Sequence, residues 1–199
     1  MRYILPVSFP VDDRSARHSV QTTARRTVEL VNALSGDSSD PAEVAAVLRA
    51  YGEAEPLDLT VHDVAGMRAA AALLREVFAA EDVDGAAAVL NRLLREHTGP
   101  LRLSSHGGGS PWHPHLDSDD DAPWDEWLLA SSCMALTVLL WDRRRQPGGV
   151  CASSGCRNVF LAQGAGQERR YCSRRCATRE RVAAHRRSRA AGREAGVPR

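Results

Sequence analysis

Four of the chain's five cysteines fall within CASSGCRNVFLAQGAGQERRYCSRRC, as Cys151-x4-Cys156 and Cys172-x3-Cys176 with fifteen residues between the pairs. Two short cysteine pairs joined by a loop suit tetrahedral Zn²⁺: each pair wraps a backbone knuckle around the ion, and the loop brings the knuckles together. Thiolate sulfur is soft and selects zinc over hard cations. Four thiolates leave no open coordination position, so one structural ion held by Cys151, Cys156, Cys172 and Cys176 is expected. A segment of about 40 residues is near the size at which an apolar core fails on its own. Its large apolar side chains are few: Val150, Val159, Phe160, Leu161, Tyr171, Val182 and Val197. Disulfides and a redox or iron–sulfur role are the competing readings. A reducing compartment weakens the first, and the absence of a CxxC weakens the second. Cys133, in an apolar stretch, reads as an inert core residue.

The same segment is strongly basic. The chain contains no lysine; residues 151–199 hold 12 arginines against 3 glutamates, whereas residues 1–150 hold 14 arginines against 22 acidic residues. An acidic body with a basic end of this kind points to a polyanionic partner. Arg174, Arg175, Arg179, Arg181, Arg186, Arg187 and Arg189 follow Cys172, with His185 among them. On a helix, Arg175, Arg179 and Arg186 share one face while Arg174, Arg181 and Arg189 lie on others, which suits phosphate contact better than one base-reading edge. Guanidinium binds phosphate bidentately and keeps its charge. DNA is therefore the expected partner. A solvated basic tail and a zinc-finger protein–protein interaction module are the alternatives.

A third cluster lies upstream, in SPWHPHLDSDDD. On a strand, His113 and His115 point to one face, so Trp112, His113 and His115 form a candidate ligand site for a metal or an anion. Ordinary hydrogen-bonding histidines are the plainer reading. DSDDD lacks the glycine and terminal glutamate of a calcium loop and reads as a solvated turn that caps the next helix. GGG at 107–109 lacks the lysine of a phosphate loop. No Ser/His/Asp or Cys/His pattern appears, so catalysis is not expected.

The elements that must position these residues are mostly helical. TTARRTVELVNALSG places Val28, Val31 and Leu34 at helical spacing. SSDPAEVAAVLRAYGE predicts a helix with Asp40 as N-cap, Pro41 at its first position and Gly52 at its end. TVHDVAGMRAAAALLREVFAAE predicts another, capped by Thr60, with Val64, Met67, Ala71, Leu74 and Phe78 on its core face. DGAAAVLNRLLREH buries Val89, Leu90, Leu93 and Leu94. From Pro100 the period changes to that of a short β-hairpin around a glycine-rich turn. WDEWLLASSCMALTVLLWDRRR is the most apolar helix and the expected centre of the body. QPGGV reads as a hinge. In the basic end, RNVFL and ERRYC are expected as two strands joined by a GAGQ turn, with Phe160 and Tyr171 packing beside the metal in a treble-clef-like arrangement.

CASSGCRNVFLAQGAGQERRYCS and the run through HRRSR, together with VELVNALSG, AAAVLNRLL and PWHPHLD upstream, resemble bacterial proteins with a CGNR-type zinc finger behind an ABATE domain, regarded as stress-induced transcription regulators. One departure falls on the signature: where the family has C-x4-CGNR, this chain has CSRRCATR, with Ala177 and Thr178 in place of glycine and asparagine. The resemblance implies a body that senses a small-molecule effector or mediates homodimerisation. The expectation is thus an α+β chain: a mostly helical, ABATE-like domain with a short β-hairpin at 1–146, and a treble-clef-like zinc-finger DNA-binding domain at 147–199. No stretch has the apolar length of a secretory signal or a membrane span, so a soluble, cytoplasmic protein with no membrane partner is expected.

Overall fold

The computed structural model describes residues 19–36, 40–162 and 169–194, with side chains as far as 189. Six helices and two small antiparallel hairpins make up its regular structure. Helix α1 spans Val20–Ala33, α2 Pro41–Ala50, α3 Val61–Ala79 and α4 Val83–His97. Strands β1 (Arg102–Ser104) and β2 (His113–His115) precede α5 (Trp124–Arg143). Strands β3 (Gly148–Val150) and β4 (Val159–Leu161) lead to α6 (Arg174–Glu194).

Four helices begin where a short polar side chain can satisfy orphan backbone N–H groups. Ser19, Asp40 and Asp82 accept from Thr22, Ala42 and Gly85, and Thr60 with Asp63 closes a reciprocal capping box. Helix α5 differs. It starts at Pro123 without a side-chain cap, and the acidic turn before it does not cap it as expected. Instead Glu126, in the first turn of α5, reaches back to accept from the Ser118 N–H at 2.6 Å.

Helix α5 is the centre of the body. Leu128, Leu129, Cys133, Leu136 and Leu139 are buried, and α1, α3 and α4 pack around it. The expected core face of α3 is buried in full. On α4, Leu90 and Leu93 are buried while Val89 and Leu94 are partly so. Cys133 lies within this core, where burial pushes its thiol up to about 12, the condition of an inert cysteine. Polar contacts fix how α1 sits on α5. Thr27 and Ser132 hydroxyls are 2.8 Å apart, and Arg26 donates to Ser131 at 3.0 Å.

The core does not stop at residue 146. Val159 and Leu161 of β4 belong to the same buried cluster as α1, α3 and α5, with Val150 packed against it. Gly148 makes this closure possible: a Cβ there would lie 1.9 Å from the Phe160 carbonyl oxygen and 2.9 Å from Phe78 Cδ1. QPGGV is therefore a packed strand entry rather than a hinge. Gln146 donates to the Ala80 carbonyl at 2.6 Å, and Gly148, Gly149 and Val150 pair with Leu161, Phe160 and Val159.

Strand pairing in the basic end also differs from expectation. VFL is a strand, but its partner precedes the first knuckle instead of following the loop. Of ERRYC, Arg169–Cys172 form no strand, and a single backbone bond ties Arg170 to the knuckle at Ala152, 2.8 Å long. Arg169 spends its guanidinium on the Tyr171 and Cys172 carbonyls, bending the chain towards α6. The GAGQ turn lies outside the described residues.

Candidate metal centre

The knuckle around Cys151 and Cys156 is a tight turn. Cys151 N–H donates to the Asn158 carbonyl, Cys156 N–H donates to the Ser153 carbonyl, and Gly155 takes φ +73°, a conformation open to glycine at no steric cost. The second pair sits at the start of α6. Cys172 lies two residues before it, Cys176 occupies its first turn, and the Ser173 hydroxyl accepts from the Cys176 N–H at 3.2 Å. Glu180, one turn further on, holds the two halves together: its Oε1 accepts from both hydroxyls of Ser153 and Ser154 at 3.0 Å and from the Ser154 N–H at 2.8 Å. These bonds keep its carboxyl below the usual range, the backbone bond from Ser154 most of all.

The four sulfurs lie within 4.8 Å of one another. Cys156–Cys172 and Cys172–Cys176 are each 3.7 Å apart. A disulfide requires about 2.05 Å, so none is formed, and all five cysteines are free. Two sulfurs bound to one tetrahedral zinc at about 2.3 Å stand about 3.8 Å apart, which is the spacing found. Hydrogen bonding with Ser173 pulls the Cys176 thiol down to about 7, whereas burial first and neighbouring sulfurs second push Cys172 up to about 12. Four crowded thiols cannot all ionise unless a cation shares the site. The cluster fits one structural zinc ion, and when bound the ion supplies that charge and a cross-link in place of a core.

The finger is bolted to the body beside this cluster. Asn32 of α1 bonds β4 through both ends of its amide: Nδ2 donates to the Val159 carbonyl at 3.1 Å, and Oδ1 accepts from the Val159 N–H at 2.7 Å. Arg143 donates to the Ala162 carbonyl at 2.8 Å, and Arg75 to that of Arg157. Asn32, Glu180 and the Arg75 anchor escape a reading of the sequence for chemistry. Their only signal is position: an asparagine in the last turn of an amphipathic helix, and a lone acid inside an arginine run.

Arg174, Arg175, Arg179, Arg181, Arg186, Arg187 and Arg189 all lie on α6 and are exposed. Arg175 and Arg179 line a groove of about 590 Å³ together with Arg169, Arg25 of α1, Cys156 and Cys172. The Arg169 guanidinium stands 5.2 Å from the Phe160 ring, while Tyr171 is only half-buried.

The hairpin β1–β2 pairs Arg102, Leu103 and Ser104 with His115, Pro114 and His113. His113 and His115 do share a face, their Nε2 atoms 2.9 Å apart. Trp112 is 72% exposed and lines neither cavity beside them. His106, which sequence reasoning missed because it lies seven residues away across the glycine turn, joins the pair, its Nε2 3.3 Å from that of His113. Burial holds His115 below its ordinary value against the pull of Asp117.

A four-cysteine centre at the junction of a knuckle and a helix start defines a structural zinc-finger domain. Residues 149–189 match the family model described as the CGNR zinc finger. No curated protein matches the chain. Among the described residues, no helix is long and apolar enough to cross a membrane.

Proposed function

We propose that the chain is a DNA-binding transcription regulator in which zinc organises the finger and α6 presents arginines to DNA phosphates, with no catalytic step of its own. The observation that carries this reading is the placement of seven exposed arginines on one helix whose first turn is anchored in the cysteine cluster. Arg25 and Arg169 extend the positive surface across the groove towards α1. Guanidinium groups spread around a helix recognise a phosphate backbone rather than a base sequence. The body, joined to the finger through Asn32 and β4, is the place for effector binding or self-association, because a change in α1 or α5 would reach the finger through shared core residues.

The test is a titration of the zinc-loaded chain with duplex DNA at several salt concentrations. Neutralising about six phosphates gives a slope of log K against log salt of about −5. The paired variant Arg175→Gln/Arg179→Gln should lower that slope by about 2. Binding that is absent, or insensitive to salt, removes the proposal and leaves a finger that docks on protein.

A further inference from the structure

We propose that His106, His113 and His115 form a second metal site, one that takes a divalent first-row transition ion and leaves part of its coordination shell open. This inference does not depend on DNA binding.

Hydrogen bonding fixes the tautomers. His113 Nδ1 is 2.8 Å from the Pro111 carbonyl oxygen, which can only accept, so this nitrogen carries the proton. His115 Nδ1 is 3.0 Å from Oδ1 of Asp117, an oxygen that also accepts from Arg102 and so acts as an acceptor here. In the neutral rings both lone pairs therefore sit on Nε2, and those two Nε2 atoms face each other at 2.9 Å. Two lone pairs at that distance repel unless a proton or a metal ion lies between them. The third ring repeats the pattern: His106 Nδ1 is 3.5 Å from Asp120 Oδ2, and its Nε2 approaches His113 Nε2 at 3.3 Å. Adjacent nitrogens bound to one ion at about 2.1 Å stand about 3.0–3.4 Å apart. The His106–His113 pair has this spacing, the His113–His115 pair is just closer at 2.9 Å, and ligand atoms of all three rings lie within 4.8 Å of one another.

The outer shell is that of a metal site as well. A ligating histidine usually gives its other N–H to a carboxylate or carbonyl, which orients the ring and raises its basicity. Here His113 and His115 do so, His106 Nδ1 stands 3.5 Å from Asp120 Oδ2, and the carboxylate partners are themselves fixed. Arg102 donates to Asp117 at 2.5 Å and to Asp120 at 2.7 Å, and the Ser104 hydroxyl donates to Asp120 at 2.6 Å. Asp117 is 3% exposed. Three imidazoles suit zinc, copper, nickel or cobalt rather than calcium or magnesium. Three protein ligands leave a position for water or a small ligand, and the rings border a cavity of about 160 Å³ shared with Arg26, Glu53 and Trp127.

The experiment uses the full chain with zinc already in the cysteine centre, titrated with Co²⁺ and read by metal content and by absorption. Cobalt at a nitrogen site shows ligand-field bands without the thiolate charge-transfer band that cobalt on cysteine gives. The expected result is one added cobalt per chain with the nitrogen-type spectrum. The variant His106→Asn keeps a residue that tolerates the left-handed backbone at this position (φ 49°). It should bind cobalt more weakly by at least the about 10–100-fold that losing an outer-shell partner costs. Three results would overturn the proposal: no cobalt beyond the zinc complement, cobalt appearing only with a thiolate band, or equal binding by His106→Asn.

Discussion

The two ligand clusters obey opposite rules. The four cysteines come from a knuckle and a helix start, converge from both sides, and close a shell with nothing left to bind. The three histidines come from one hairpin and its turn, converge from one side, and face a cavity. Around the sulfurs the supporting bonds run from backbone N–H groups and serines, and they hold the fold itself. Around the imidazoles they run to a backbone carbonyl and a carboxylate that set ring orientation. The difference teaches that ligand type and enclosure, more than ligand number, separate an ion that builds structure from one that remains accessible.

The strongest way to break this contrast is to take the zinc away. Chelation, or Cys176→Ala, should abolish α6 and the knuckle, because structural zinc contributes about 10–16 kcal/mol in domains of this size. Circular dichroism should lose the helical signal of α6 while α1, α3, α4 and α5 keep theirs. Retention of full helicity after chelation would deny the ion its structural role. Next in size is the seam between finger and body. Leu161→Ala should cost about 2–5 kcal/mol, and Gly148→Ala about 1–3 kcal/mol or more, since its methyl meets the Phe160 backbone. Both should lower the thermal midpoint of body and finger together; a shift confined to the finger would mean that the two melt apart. Asn32→Ala leaves the N–H and carbonyl of buried Val159 unpaired, at about 1–3 kcal/mol for each group, readable in denaturant titrations.

The smallest effect concerns the hairpin. Hydrogen bonds from Ser104 and then Arg102 hold Asp120 down at about 2, below its ordinary 3.8. A depressed carboxyl stabilises the fold above its ordinary value and loses that contribution as pH falls towards about 2. The hairpin should therefore loosen across that interval, and Asp120→Asn should remove this acid-dependent step, followed by the fluorescence of Trp112. Because the carboxyl is partly exposed, the change is modest.

Legibility in the sequence followed the range of the interactions. The helices of the body were readable from periodicity, and α2 and α3 from their caps as well, since Asp40–Pro41 and Thr60–Asp63 act within one turn; the acidic turn expected to cap α5 does not do so. The cysteine spacing was readable because a metal knuckle is local. His113 and His115 were visible as a pair, being two apart on a strand. His106 was not, because only the turn at Gly107 and Gly108 folds it back. The strand partner of VFL was misplaced for the same reason: β3 pairs across the knuckle, and no periodicity in a three-residue strand marks it.

Residue order alone determined the helical body, the arginine-rich helix and the four sulfurs available to one ion, because caps, amphipathic faces and knuckles rest on contacts a few residues long. Only the tertiary structure decided that Val159 and Leu161 complete the core of the body, that Asn32 locks the finger to α1, and that a third histidine meets the other two. Those outcomes depend on close packing between segments as many as 127 residues apart, where a glycine without a side chain or one matched amide settles the fit.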